Sequence, residues 1–195
     1  MAAATDLFLT HGYTPTTIEA IARRADVAVE TVYSRFQNKS NLLDAVLGPA
    51  ITGDQDERPL LERPQTASIR ACTDQREQLR AMAHLSRGIL QRTAQLHRVL
   101  DSAASSDPNA AALQQTDCQR RYEGQAAYID MLIASGPLRE GLSASEAADT
   151  YASMANPATY RLLTSDRGWT PEHYEQWLGD SLIRLLLPDP PVTST

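Results

Sequence analysis

The spacing of apolar residues along this chain is helical almost throughout. Leu79, Met82 and Ala83 recur at steps of three and four residues, which is the period of one face of an α-helix. The same period relates the apolar residues near the C-terminus, namely Tyr174, Trp177, Leu178, Leu182 and Leu185. Runs of alternating apolar and polar residues, which are typical of strands, are absent from the sequence. The pattern therefore predicts an all-α fold with about nine or ten helices.

Capping side chains and glycines indicate where the predicted helices begin and end. Gly12 is placed to end the first helix. Thr16 with Glu19, and Ser143 with Glu146, have the spacing of a capping box at a helix start. Two further starts combine a capping side chain with a proline at the first helical position: Asn156-Pro157 and Thr170-Pro171.

Proline, glycine and polar residues divide the chain into two domains, a connection and a tail. Segment 48–64 contains three prolines and two glycines, a composition that indicates a connection. We therefore expect a first domain over 1–47 and a C-terminal helical domain over 65–187. The end of the chain, 188–195, again contains three prolines and is expected to be disordered.

Two short helices in the first domain have the spacing of a helix-turn-helix. Ala22 lies on the inner face of one helix, a turn follows at 26–28, and Val32 and Phe36 lie on the inner face of the next. We expect Val27 to fill the gap between the helices. The second helix then exposes a surface suited to the major groove of DNA, formed by Val29, Glu30, Thr31, Tyr33, Ser34 and Arg35.

An ordered set of residues extends through nearly all of positions 4–47, in the segments LFLTHGY, TTIEAIARRADV and TVYSRFQNKSNLL. This set resembles the DNA-binding domain of the TetR family of transcriptional regulators. The resemblance implies an N-terminal three-helix helix-turn-helix domain followed by a helical ligand-binding and dimerisation bundle. It further implies a repressor that binds double-stranded operator DNA at a palindrome as a homodimer, and that a small-molecule effector releases.

The resemblance also implies which side chains contact DNA. Phosphate contacts are implied for Thr17, Tyr33 and Lys39, and groove contacts for Thr31 and Arg35. Arg35 has the planar donor fork for a guanine edge, and a phosphate contact is its alternative. For Tyr33 the alternative is packing on the domain core, and for Thr17 it is helix capping alone. The complete set of DNA-binding candidates is Thr17, Thr31, Tyr33, Ser34, Arg35 and Lys39.

The charge of the first domain is low for a protein that binds DNA. Residues 1–47 contain four basic and five acidic residues, and the chain carries a net charge of -6. The family usually has a longer first helix preceded by a basic arm, whereas none of the residues before Gly12 is Lys or Arg. Either the start is trimmed or the arm is missing. Cationic side chains supply the electrostatic attraction to phosphates. A helical small-molecule-binding dimer with weak or lost DNA binding is therefore the alternative function.

The remaining sequence contains no motif that indicates catalysis. The four histidines are scattered without metal-ligand spacing, and the two cysteines lie outside any CxxC pattern. We therefore expect no enzyme activity, no catalytic residue, no metal and no cofactor. The absence of a signal sequence and of a long apolar run predicts a cytoplasmic protein with no membrane partner.

Polar side chains interrupt the apolar faces of the C-terminal helices, as they do where a bundle lines a ligand cavity. The ligand-binding candidates are His84, His97, Tyr122, Tyr128, Tyr151 and Met154. Ordinary core packing or surface exposure is the alternative for each of them.

The last two helices carry more apolar surface than docking within one chain requires, which favours a dimer interface. The alternative is that Trp177 and Leu178 belong to the core of their own chain. The interface candidates are Tyr160, Leu163, Trp177, Leu178, Leu182 and Leu185.

Overall fold

The computed structural model describes residues 1–53 and 58–189, and this part of the chain contains ten α-helices and no strand. The prediction of an all-α fold is confirmed. The helices are α1 (Ala2–His11), α2 (Ile18–Ala25), α3 (Val29–Phe36), α4 (Lys39–Thr52), α5 (Pro64–Ala71), α6 (Gln75–Ala104), α7 (Pro108–Ser135), α8 (Ala144–Met154), α9 (Pro157–Arg161) and α10 (Pro171–Leu186). A short 3-10 helix (Leu60–Glu62) precedes α5, and a π-helical turn (Leu162–Asp166) follows α9.

Most of the predicted helix boundaries are confirmed by capping hydrogen bonds. Gly12 ends α1 with a φ of 81°, a conformation that glycine adopts without strain. The side chains of Ser143 and Glu146 form the predicted capping box at α8. Asn156 and Thr170 accept hydrogen bonds from the first turns of α9 and α10, each before a proline.

The capping box predicted from Thr16 and Glu19 at α2 is wrong, and a single cap one residue later takes its place. The cap is Thr17, whose hydroxyl accepts a hydrogen bond from the amide of Ala20 at 3.1 Å. Thr16 is buried, and its hydroxyl donates to the carbonyl of Gly12 at 2.7 Å. Because its hydroxyl closes the turn after α1, Thr16 is not available to cap the following helix.

One compact unit comprises the described part of Met1–Asp56 together with Arg92–Gln119. Its core includes Phe8, Leu43 and Leu47 from the N-terminal helices, and Leu96 and Leu100 from α6. This grouping differs from the predicted domain over 1–47, since the C-terminal part of α6 supplies part of the same core. Four short helices bury little apolar surface by themselves, and domains of this size are only marginally stable.

Helix α4 extends further than the sequence suggested. It continues through Gly48 and Pro49 to Thr52, within the segment expected to be a connection. The guanidinium of Arg92 donates to the carbonyls of Ala50 and Ile51 at 2.8 and 2.9 Å. These bonds satisfy carbonyls in the last turn, where a helix lacks intrahelical donors.

The second compact unit comprises the described part of Glu57–Gln91 together with Arg120–Thr195. Its largest fully buried side chains are Tyr174, Leu79, Met82, Ile129, Leu132 and Leu178. The hydroxyl of Tyr174 donates to the carbonyl of Met154 at 2.9 Å and joins α10 to α8. Positions 54–57 of the predicted connection and 190–195 of the predicted tail lie outside the described residues.

Two further features concern the described residues as a whole. Cys72 and Cys118 are free thiols. Within 1–53 and 58–189, none of the helices combines the length and the hydropathy that a membrane span requires.

Replacing Leu100 with Ala tests whether α6 belongs to the core of the first unit. Leu100 is 1% exposed, so we expect the free energy of unfolding to fall by about 2 to 5 kcal/mol. Arg98→Ala, at an exposed position of the same helix, is the control and should change it by less than about 0.5 kcal/mol. Chemical denaturation measures both, and equal effects of the two substitutions would contradict the assignment.

Candidate nucleic-acid interface

The outer face of α3 is polar and exposed. Thr31, Tyr33, Ser34 and Arg35 are all exposed, while Val32 on the inner side is 6% exposed. The buried side of α3 packs on the core of the first unit. A short helix with one polar free face and one face fixed by a core is the arrangement that enters a major groove in helix-turn-helix proteins.

One residue in the turn between α2 and α3 adopts a left-handed backbone conformation, which its side chain tolerates. Asp26 has φ 54° and ψ 47°, and Asp tolerates this conformation better than most residues. The prediction that Val27 fills the gap between the helices is wrong, because its side chain is 44% exposed. Ala22, which is fully buried, lies at the inner side of α2 instead.

Thr17 lies at the exposed start of α2, where the first amides of the helix have no intrahelical acceptor. Its hydroxyl caps the helix by accepting a hydrogen bond from the amide of Ala20, so the capping role expected as the alternative is present. The remaining free amides and the helix dipole make such a helix start favourable for a phosphate. The phosphate contact of Thr17 remains a prediction.

Lys39 stabilises the turn between α1 and α2 through hydrogen bonds to its backbone. Its Nζ donates to the carbonyls of Tyr13 at 2.8 Å and Thr16 at 2.9 Å, and it lies 4.1 Å from the centroid of the Tyr13 ring. Burial lowers the pKa of Lys39, and the nearby carboxylate of Asp107 opposes that shift. The ammonium therefore has a structural role that the sequence did not indicate, and its contact with phosphate remains a prediction.

Tyr13 connects this turn to the start of α7 within the same unit. Its hydroxyl donates to Oδ2 of Asp107 at 2.6 Å, and Asp107 also accepts from the amide of Asn109 at 2.9 Å. The hydrogen bond from Tyr13 lowers the pKa of Asp107, and burial raises the pKa of Tyr13. The sequence did not identify Asp107 as part of the site. The Asp107-Pro108 pair indicates a helix start, but it does not indicate that Tyr13 is the partner of Asp107.

The four basic residues of the N-terminal helices differ in their exposure and in their contacts within the chain. Arg24 forms an ion pair with Asp6 at 2.6 Å, and Lys39 is engaged with the turn. Arg23 and Arg35 are exposed. Arg35, whose guanidinium carbon lies 5.5 Å from the Phe36 ring centroid, is therefore the basic side chain on the outer face of α3.

The six predicted ligand-binding residues are divided between the two units. His97 lies in the first unit, buried, with Nδ1 2.9 Å from the carbonyl of Thr93 and Nε2 3.2 Å from Asp117. His84 lies at the surface of the second unit, 2.9 Å from Glu175. The other four also lie in the second unit, and of these Tyr128 and Tyr151 are buried while Tyr122 and Met154 are half-buried.

The buried tyrosines of the second unit belong to a polar seam inside its core. The Thr66 hydroxyl donates to the carbonyl of Leu60 at 2.7 Å, so the Tyr128 hydroxyl donates to Thr66 at 2.8 Å. The hydroxyls of Tyr151 and Ser86 lie 2.7 Å apart. Burial raises the pKa of both tyrosines.

Gln78 is a further buried polar residue of the second unit that sequence reasoning missed. Its Nε2 donates to the carbonyl of Ile69 at 2.9 Å, whereas its Oε1 is buried and has no hydrogen-bond partner. Gln78, Met82 and Ser86 follow each other at four-residue steps along α6, which is the spacing of one helix face. That spacing is the feature of the sequence that could have indicated that Gln78 lies on the buried face of α6.

The predicted dimer-interface residues divide into buried and accessible sets. Tyr160, Leu178 and Leu182 lie in the core of their own chain, with exposures of 6%, 0% and 0%. Because they pack inside the chain, they have almost no surface to offer to a second copy, and for Leu178 the intrachain alternative is the one observed. Leu163 and Trp177 are half-buried, and Leu185 is 40% exposed.

One exposed apolar residue near α10 was missed by the sequence analysis. Leu162, in the π-helical turn, is 48% exposed. The sequence pattern placed it beside apolar Leu163 without indicating which of the two points outward, because the π turn changes the helical period.

Comparisons with known proteins show what the N-terminal helices and the fold are similar to. Residues 1–46 match a family model described as bacterial regulatory proteins, tetR family. No curated protein sequence matches the chain. Residues 1–46, which contain the helix-turn-helix, are thus similar to the tetR family of bacterial regulatory proteins, and the resemblance seen in the sequence is confirmed for this segment.

Solved structures show that the likeness extends over the whole chain as a fold. A protein described as a transcriptional regulator from Saccharomonospora viridis, in complex with choline, has a TM-score of 0.68 and 22% identity, covering 95% of this chain and 94% of that one. NalD of Pseudomonas aeruginosa, the secondary repressor of the MexAB-OprM multidrug efflux pump, has a TM-score of 0.64 and 22% identity, with coverages of 95% and 92%. A protein described as a TetR-family transcriptional regulator from Mesorhizobium loti has a TM-score of 0.67 and 20% identity, with coverages of 95% and 93%.

Replacing Tyr13 with Phe tests the hydrogen bond between the N-terminal turn and α7. The ring is retained and only the hydroxyl that donates to Asp107 is lost, so we expect the free energy of unfolding to fall by about 1 to 2 kcal/mol at neutral pH. Because this bond lowers the pKa of Asp107 below its ordinary 3.8, its contribution is present above that value and is lost as the pH falls through the lowered pKa.

Chemical denaturation of wild type and Tyr13→Phe between about pH 7 and about pH 3 measures this effect. The difference between the two proteins should shrink at the acid end of the range. A difference that is independent of pH would show that the hydroxyl does not act through the Asp107 carboxylate.

Proposed function

We propose that this chain is a ligand-responsive transcriptional repressor that binds a palindromic operator as a homodimer and is released by a small molecule. The observation that carries the proposal is the exposed polar face of α3 on a helix fixed by a buried core. It is supported by the tetR-family match of residues 1–46.

The chemistry of this face supports contact with DNA. Arg35 presents a planar pair of donors that suits the O6 and N7 acceptors of guanine, or a phosphate. Thr31, Ser34 and Tyr33 contribute hydroxyls beside it. Thr17 contributes the exposed start of α2, where phosphates are favoured, and Lys39 adds a positive charge behind that helix start.

A homodimer is proposed because apolar side chains remain exposed near the C-terminal end of the described chain. Leu162 and Leu185 are 48% and 40% exposed, and Trp177 is half-buried against Trp169 and Tyr174. A two-fold dimer carries two copies of α3, which then meet half-sites one turn of DNA apart or a multiple of it. A palindromic operator is the geometric consequence.

Release by a ligand is proposed to act through the helices that both units share. Residues up to Gln91 of α6 belong to the second unit, and residues from Arg92 belong to the first. A ligand that binds one arrangement of the second unit more tightly than another shifts the equilibrium by that difference in affinity. Four buried polar residues of the second unit support a ligand site there: Thr66, Gln78, Tyr128 and Tyr151. A choline complex exists for a protein of similar fold.

A second candidate function is favoured by the charge of the N-terminal helices. Four basic residues face five acidic ones over 1–47, and Arg24 and Lys39 already have partners within the chain. These observations favour a helical small-molecule-binding dimer in which DNA binding is weak or lost. Salt-dependent binding to a specific duplex separates the two functions, since only the repressor needs it.

Replacing Arg35 with Ala tests the recognition face. If Arg35 reads a base, binding should weaken by about 1 to 3 kcal/mol and base preference should relax at one position in each half-site. Lys39→Ala is the comparison, and it should weaken binding to all sequences and flatten the salt dependence. Affinities for duplexes enriched from a random pool measure both, and an Arg35→Ala protein with unchanged affinity and preference would contradict the assignment.

Replacing Leu185 with Glu tests the dimer interface. A carboxylate at this exposed apolar position must be desolvated in an interface, so we expect dissociation to monomers with the fold retained. Leu9→Glu is the matched control, because Leu9 is 43% exposed and lies in α1. Analytical ultracentrifugation and circular dichroism measure the outcome, and a dimeric Leu185→Glu protein would move the interface elsewhere.

A further inference from the structure

The centre of the outer face of α3 contains an acidic side chain that has no assigned role. Glu30 is the second residue of α3 and is exposed. Ser34 follows four residues later, so the two side chains lie next to each other along the helix. Both point away from the side that Val32 and Phe36 bury against the core. Glu30 therefore belongs to the part of α3 that is most directly opposed to the core.

The hydrogen-bonding capacity of this central row is unusual for a DNA-facing surface. The Ser34 hydroxyl donates to the carbonyl of Thr31 at 3.1 Å, which uses its only proton. What remains on Ser34 is a pair of acceptor sites, and an ionised carboxylate such as Glu30 accepts only. Glu30 and Ser34 together thus form a small acceptor surface that needs a donor from its partner.

Major-groove chemistry limits which bases can supply that donor. Guanine and thymine present acceptors on their major-groove edges, whereas cytosine and adenine present amino groups. Adenine also places its N7 acceptor beside its amino group, and that acceptor would repel a carboxylate. Cytosine presents its N4 amino group alone, and it is the usual base partner of Glu.

We propose that Glu30, supported by Ser34, selects a cytosine in each half-site of the operator by accepting a hydrogen bond from its N4 amino group. This inference rests on the proposed DNA-binding function. A carboxylate in a groove lined by phosphates weakens binding to every other sequence. Glu30 therefore adds specificity by repelling wrong bases as well as by binding the right one.

A structural role for Glu30 is testable against this one. The residue before α3, Ala28, provides no side-chain cap, and an acidic residue in the first turn stabilises a helix through its dipole. A residue with only that role changes protein stability when it is replaced, but it does not change base preference.

The experiment compares base preference in wild type, Glu30→Gln and Glu19→Gln. Glu19 is the matched control, because it is also the exposed second residue of an eight-residue helix, α2. Each protein is used to enrich duplexes from a random DNA pool at the same salt concentration, and thermal unfolding is followed in parallel. Affinity is then measured for the enriched duplex with its conserved cytosine changed to each other base, and to an analogue that lacks the 4-amino group.

We expect wild type and Glu19→Gln to share one preferred cytosine in each half-site. Glu30→Gln should shift that preference towards adenine, since an amide pairs with N6 and N7 of adenine. Removing the 4-amino group should weaken wild-type binding about 10-fold or more and leave Glu30→Gln nearly unaffected.

Three results would overturn the inference. If Glu30→Gln enriches the same sequences as wild type, Glu30 does not read a base, and a lowered melting temperature would then assign it to the helix dipole. If the 4-amino deletion affects both proteins alike, the donor is not read by Glu30. If wild type enriches no sequence at all, the proposed function fails together with this inference.

Discussion

The arrangement of the N-terminal helices depends on apolar packing that they cannot complete by themselves. Leu96, Leu100 and Ala103 of α6 share one core with Phe8 and Leu43 of the N-terminal helices. Burial of this apolar surface is the main stabilising contribution to such a small domain. The position of α3 is consequently tied to that of α6, and any function that requires an accurately placed recognition helix requires this shared core.

Hydrogen bonds between polar side chains also stabilise the same unit, and they engage one of its positive charges. Lys39 donates to the carbonyls of Tyr13 and Thr16, and the Tyr13 hydroxyl donates to Asp107. These bonds hold the start of α2 in place, where an exposed helix terminus favours phosphate. They also hold the ammonium of Lys39, one of the four positive charges in residues 1–47, near the carboxylate of Asp107.

Local patterns in the sequence predicted most of the fold and part of the candidate site. Period and capping residues are local signals, which is why the all-α fold, the Ser143 capping box and the exposed face of α3 were predicted. The partners of Lys39 and Asp107 were not, because those contacts join residues far apart in the chain. Burial of Leu178 within its own chain was only the alternative, and exposure of Leu162 was missed, since an apolar stripe does not indicate whether its own chain or a second copy covers it.

We propose that the face of α3 reads DNA sequence while the core behind it holds the helix in place. The most direct measurement is a titration of wild-type protein, over a series of salt concentrations, with an enriched palindromic duplex and with a scrambled duplex of equal length. We expect the palindrome to bind at least about 1,000-fold more tightly than the scrambled duplex, and we expect binding to both duplexes to weaken as salt rises. Equal affinity for the two duplexes at every salt concentration would contradict it.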